Sequence, residues 1–163
     1  MMLRRSFLQA STALLAPALA PVLASAPALA ASYAVVPIVA GSSPMRDISL
    51  GTLRRVFRSE QVTDSDGVRL VGFNHPSGSR ARELFDRVVL GLDPDEVARY
   101  WVDQRIRGSA RPPRTVTTVA LLKEVVNRYP GAVGYLALTD LDASVRALTV
   151  GGALPDSPQY PLR

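Results

Sequence analysis

The sequence predicts an α/β fold with a largely parallel sheet flanked by helices. Three observations predict it. Short apolar runs of β type alternate with segments whose apolar residues recur at helical spacing. Capping and turn residues stand at most of the junctions. No internal repeat is visible, so a solenoid or propeller is not indicated.

The first element to remove is not part of that fold. Arg4 and Arg5 form a short positive region, followed by an Ala- and Leu-rich stretch from Phe7 to about Ala24. Pro17 and Pro21 interrupt this stretch and suit an export signal better than a spanning helix. Ala28-Leu29-Ala30 reads as a small-x-small cleavage site. Arg4-Arg5-Ser6-Phe7-Leu8 resembles the twin-arginine pattern, which exports folded proteins. The alternatives are an ordinary secretory signal and an uncleaved anchor. The expected organisation is a cleaved signal over 1–30, one domain over 31–150 and a loose tail over 151–163. A periplasmic location is therefore expected, with cleavage near Ala30 and no stable membrane span.

The rest of the chain is long enough for one core. Residues 1–30 hold two arginines and no acid, so the net charge of +5 falls to +3 without them. Lys123 is the only lysine. The absence of cysteine excludes disulfides, thiolate metal sites and cysteine nucleophiles. A single histidine, His75, argues against a histidine zinc site, so no metal and no cofactor is expected. The arginines are interspersed with acids, which does not make a nucleic-acid stripe.

Tyr33–Ala40 is a β-type run that Pro37 is expected to interrupt or end. Gly41–Pro44 is a loop. Ser49 caps a helix to about Arg58 with Leu50, Leu53, Val56 and Phe57 on one face. Asp64–Gly67 is a turn, and Val68–Phe73 a second strand. Asn74–Ser79 feeds a helix bearing Ala81, Leu84, Phe85, Val88 and Val89, which ends near Gly91. Asp93, Pro94 and Glu96 give the next helix a capping box with proline at its first position. That helix runs through Tyr100-Trp101, two residues expected to pack in or beside the core. Gly108–Arg114 is a loop, Val116 is extended, and Thr117 or Thr118 caps a helix carrying Leu121, Leu122, Val125 and Val126. Pro130-Gly131 ends it, Ala132–Leu136 is a buried strand, and Val145–Val150 is a last strand.

The segment most suited to chemistry is Ser77-Gly78-Ser79-Arg80, between a strand and a helix. A helix N-terminus offers unpaired N–H groups and a partial positive charge. Glycine admits close approach, two hydroxyls add donors, and Arg80 adds a charge. Together they suit a tetrahedral oxyanion, although Ser and Gly are also ordinary capping residues. A Ser77–His75 hydrolase lacks a Gly-x-Ser-x-Gly elbow. Asp93, Asp95 and Glu96 read as helix-start residues, and Asp140 and Asp142 as turn residues. No catalytic residue is expected.

Several segments together resemble the periplasmic phosphate-binding proteins, the receptors of phosphate ABC importers. Ser77–Ser79 resembles their Ser-Gly-Thr loop, and Gly78–Phe85 their Gly-Ser/Thr-Arg-x-x-x-x-Phe helix. Ser49–Phe57 is similar to their helix ending in Ile-Phe. Tyr100-Trp101 and the Gly108–Pro113 loop have counterparts, and Pro130–Tyr135 is similar to their Pro-Gly-Ala-Ile-Gly-Tyr strand. The resemblance spans about residues 33–138. It implies one lobe of a type II periplasmic binding protein-like fold, binding phosphate or a similar oxyanion at Ser77, Gly78, Ser79 and Arg80. It also implies, as partners, an ABC transporter permease and a second lobe or homodimer. The chain departs from the pattern in two ways. No counterpart of the other lobe is visible, and Phe73 stands where the family has an arginine four residues before the loop serine. A repurposed single-lobe accessory module is the alternative.

Overall fold

The computed structural model describes residues 33–163. The expected export signal lies outside the described residues. Strand β1 (Val35–Ala40) is followed by β2 (Asp47–Ile48), helix α1 (Leu50–Phe57), β3 (Val71–Asn74) and α2 (Arg80–Phe85). Then come α3 (Pro94–Ile106), β4 (Arg114–Thr115), α4 (Val119–Arg128), β5 (Ala132–Ala137), β6 (Val145–Ala147) and β7 (Thr149–Val150). The main sheet has the order β4-β3-β5-β1-β6, and β2 pairs with β7 apart from it. In the main sheet β3 runs parallel to β4 and β5, and β1 runs antiparallel to both β5 and β6. Four strands therefore point one way and β1 is reversed.

Alternate residues of the central strands feed two cores, as the two-residue period of a strand requires. Val35, Val39, Val133 and Tyr135 join α1, α2 and α3 on one face. Ile38, Ala132 and Leu136 join Leu122 and Val126 of α4 on the other. This is the layered arrangement expected when a mostly parallel sheet must be covered on both sides.

The helix starts follow local chemistry. Ser49 accepts from the Thr52 N–H, Thr118 from the Leu121 N–H, and Asp93 and Glu96 form a reciprocal capping box. In the box, Glu96 N–H donates to Asp93 Oδ1 at 2.8 Å and Asp93 N–H to Glu96 Oε2 at 2.9 Å. Trp101 is buried, as expected, and Tyr100 packs against the same core.

Four expectations change. Pro37 does not end β1, which runs on to Ala40. Its carbonyl accepts from Leu148 N–H at 2.9 Å, just past the end of β6. The missing N–H of Pro37 therefore falls at the end of that ladder, where it removes little. The helix after the Asn74–Ser79 loop is regular only to Phe85, and a π turn (Asp86–Leu90) carries it to Gly91. The expected last strand breaks at Leu148 into β6 and β7, the latter pairing with the unexpected β2. Residues 151–163 are not loose at their far end. Tyr160 and Leu162 are buried, the Leu162 carbonyl accepts from Val35 N–H at 2.9 Å, and Tyr160 Oη donates to the Val35 carbonyl at 3.0 Å. Two large apolar groups beside the part of β1 that β6 does not reach are reason enough for the segment to dock.

Gly131 is held at φ +77, and a Cβ there would stand 2.1 Å from the Arg69 carbonyl oxygen. Gly131→Ala is expected to lower the urea midpoint sharply, because the backbone alone costs about 1–3 kcal/mol at such φ for a residue with a side chain. Asp93→Ala removes only the box and should cost about 1 kcal/mol, lowering Tm by a few degrees in calorimetry.

Candidate functional site

β3 and β5 are parallel neighbours, so the segments after them leave the sheet at the same end. The loop Pro76–Ser79 follows β3, and the turn Leu138–Asp140 follows β5. Because β1 is reversed, Tyr33 comes to this end too, just before its first residue. Ligands of open α/β sheets gather outside the carboxyl ends of strands.

The base of the loop is fixed by buried polar groups. Asn74, His75, Arg82 and Asp86 are the buried polar or charged residues among those described. The Tyr135 hydroxyl donates to Asn74 Oδ1 at 3.0 Å. His75 Nε2 lies 2.6 Å from the Tyr135 carbonyl, which can only accept, so Nε2 carries the proton. Arg82 donates through Nη1 to the His75 carbonyl at 3.0 Å and through Nε to Asp86 Oδ2. The Tyr135 ring stacks on Phe85, with centroids 3.9 Å apart, and meets His75 and Phe57 edge-on. Strand β5 and helix α2 thus grip both sides of the loop's first residues.

Electrostatics follow from burial. Desolvation holds the His75 imidazole below its ordinary value of 6.5, and the Arg82 charge adds to this, against the bond to the Tyr135 carbonyl. Desolvation raises the Asp86 carboxyl although Arg82 opposes it. Desolvation also raises the Tyr135 phenol far above its usual range. Asp86 Oδ1 is buried without a partner and borders a cavity of about 40 Å³ beneath Ser77 and Gly78.

Of the four expected site residues, Ser77, Gly78 and Arg80 are exposed and form one rim, and Ser79 among them is half-buried. Gly78 has φ +80, which turns the chain into α2. The Ser79 hydroxyl donates back to the Pro76 carbonyl at 2.9 Å, so it closes the loop instead of capping the helix. Ser77 is exposed. The Arg80 guanidinium lies 4.0 Å from the Tyr33 ring centroid, a cation–π contact that leaves its edge open to solvent. No hydrogen bond within the described chain takes the N–H groups of Ser77, Gly78, Arg80, Ala81 or Arg82. Arg82 does not reach the rim, because its guanidinium is committed to Asp86 and the His75 carbonyl. Phe73 is buried in the α4-side core and brings no charge. His75 is likewise held inside the fold by Tyr135, which removes it as a base for Ser77.

Sequence reasoning missed Tyr33, Asn74, Asp86 and Tyr135. The i,i+4 spacing of Arg82 and Asp86 was a signal for their pairing. Nothing local distinguishes Tyr33 or Tyr135 from other strand aromatics.

No family model and no curated protein matches this chain. Solved structures do. An ABC-type phosphate transport receptor from Vibrio cholerae matches with a TM-score of 0.63 at 17% identity, over 80% of this chain and 53% of the receptor. A structure from Clostridium perfringens with bound phosphate, assigned to the phosphate ABC transporter substrate-binding proteins, matches at 0.59 and 19%, over 76% and 47%. PstS from Borrelia burgdorferi matches at 0.58 and 15%, over 80% and 54%. The chain shares their fold. It spans about half the length of the structures it matches.

Two measurements test the buried cluster. Arg82→Ala leaves the Asp86 carboxylate and the His75 carbonyl without a donor and should cost about 3–5 kcal/mol in urea unfolding. The double variant Arg82→Met/Asp86→Leu should regain much of that loss. His75 is the sole histidine, so its imidazole resonance titrates alone in NMR, with a midpoint expected below 6.5. The unfolded chain then binds a proton more readily than the folded one. Stability relative to a His75→Gln variant should therefore fall as pH drops below 6.5 and level off below the folded midpoint.

Proposed function

We propose that this protein is an exported solute-binding protein that takes phosphate or a similar oxyanion at Ser77, Gly78, Ser79 and Arg80. One observation carries the reading: backbone N–H groups without an acceptor among the described residues crowd a loop whose base is clamped by buried polar contacts. Preset donors at the start of a helix are what a tetrahedral anion requires. Arg80 supplies a full charge beside them. The shared fold with phosphate receptors, one of them solved with phosphate, supports the choice of anion. Delivery through residues 1–30 and release of a domain over 31–150 belong to the same proposal. Among the described residues no helix is long and apolar enough to cross a membrane.

The rim is open, and this limits affinity. A charge-assisted hydrogen bond nets about 1.5–3 kcal/mol, and an exposed helix terminus adds about 0.3–1. After the penalty of association, two or three such contacts leave roughly −4 kcal/mol, a millimolar Kd. Micromolar binding needs about −8 kcal/mol. A second surface closing over the anion would supply the difference by excluding water. A homodimer, a second lobe on another chain or a permease are the candidates for that surface.

A second reading follows from the length of the match. The chain spans about half of its structural neighbours, and Phe73 occupies the arginine position. A lobe without a ligand of its own, acting as an accessory module, would look the same at this level.

Calorimetry on the purified protein separates the two. Phosphate should bind with a Kd of roughly 1 mM, and Arg80→Ala should weaken it about five- to tenfold. Neither heat nor a thermal shift with phosphate or sulfate at roughly 10 mM would exclude the first reading.

A further inference from the structure

One concavity among the described residues lies away from the Ser77–Arg80 loop. A groove of about 720 Å³ lies along the β4 edge of the main sheet, and none of Ser77, Gly78, Ser79 or Arg80 lines it. Pockets of about 300–1,000 Å³ with apolar walls and a few polar groups are the usual form of small-molecule sites. Leu121 and Val125 of α4 and Tyr129, just past its end, line one wall at four-residue spacing. Pro112 and Pro113 line another, and Val71 belongs to the lining as well. Val71, Leu121 and Tyr129 are 44%, 43% and 55% exposed, so apolar surface here is left to solvent.

The charges in the lining are one-sided. Arg69 and Arg114 are exposed and have no acidic partner among the described residues. The single carboxylate in the lining, Glu60, is bonded to Arg55 at 3.0 Å. We infer that this groove binds an amphiphilic anion, with an apolar chain along Leu121, Val125 and Tyr129 and a carboxylate against Arg69 or Arg114. The site is separate from the proposed oxyanion loop and does not depend on it.

Other occupants fit less well. Strand addition needs a run of free edge, but β4 is two residues long and follows two prolines, the second immediately. A symmetric contact with a second copy would face the uncompensated arginines toward their own kind. A slender molecule with one negative end satisfies both the concavity and the charge.

The test titrates the purified ¹⁵N-labelled protein with decanoate, decylammonium and acetate, each below its aggregation threshold. Decanoate should shift the amide resonances of Val71, Leu121 and Tyr129 saturably and leave Ser77–Arg80 unmoved. Decylammonium should bind about tenfold more weakly and acetate not measurably, as should decanoate at the Arg69→Ala/Arg114→Ala variant relative to wild type, by about tenfold. These are surface changes, so far-UV circular dichroism should be unaltered. Equal binding of decanoate and decylammonium would overturn the inference, since apolar area alone would then explain it. So would shifts located elsewhere, or none. Sedimentation showing a dimer that Leu121→Glu converts to monomer would also overturn it, because a second copy would then fill the groove.

Discussion

Arg82 donates to the His75 carbonyl from inside the fold, and the shape of the loop above depends on that bond. A buried backbone carbonyl needs a donor. The donor here is a guanidinium, which itself needs a counter-charge, and Asp86 provides it one helical turn later. From the other side Tyr135 bonds Asn74 through its hydroxyl and His75 through its carbonyl. The loop is therefore suspended between a helix and a strand by polar contacts, while Phe85, Tyr135 and Phe57 pack their rings around it. Such a cluster is a poor source of net stability, but removing one member is expensive. Its consequence is a loop held at its base, in which the N–H groups of Ser77 and Gly78 have no acceptor among the described residues.

The sheet explains why this matters. Parallel β3, β4 and β5 end together, and reversed β1 begins where they end. Tyr33 then lies under Arg80, and the two tie the residues just before β1 to the start of α2. The docking of Tyr160 and Leu162 beside Val35 closes the same region from behind. The rim is thus built from segments far apart in the chain.

Two surfaces remain unsatisfied. The Ser77–Arg80 segment offers donors on an open face, and the β4-edge groove offers apolar walls with two arginines that have no acidic partner among the described residues. Both are concentrations of unmet interaction, of opposite character, and neither is relieved within the described residues.

Local chemistry made most of the architecture legible. Ser49, Asp93 and the Thr117-Thr118 pair marked their helices because a cap needs only the next three residues, and the structure gives the last cap to Thr118. The alternation of β and helical periods gave the α/β class, and Ser77-Gly78-Ser79-Arg80 stood out as a strand-to-helix loop. Tertiary contacts decided the rest. Pro37 stays in its strand because the ladder on its N side has ended, which depends on β6. The β2–β7 pair is too short to announce itself and exists through its partner. Arg82 could not be told from Arg80 by composition, and only the fold buries one and stacks the other on Tyr33. A sequence fixes which groups lie on which face of an element. Which of those groups stay free to meet a ligand depends on what the remainder of the chain packs against them.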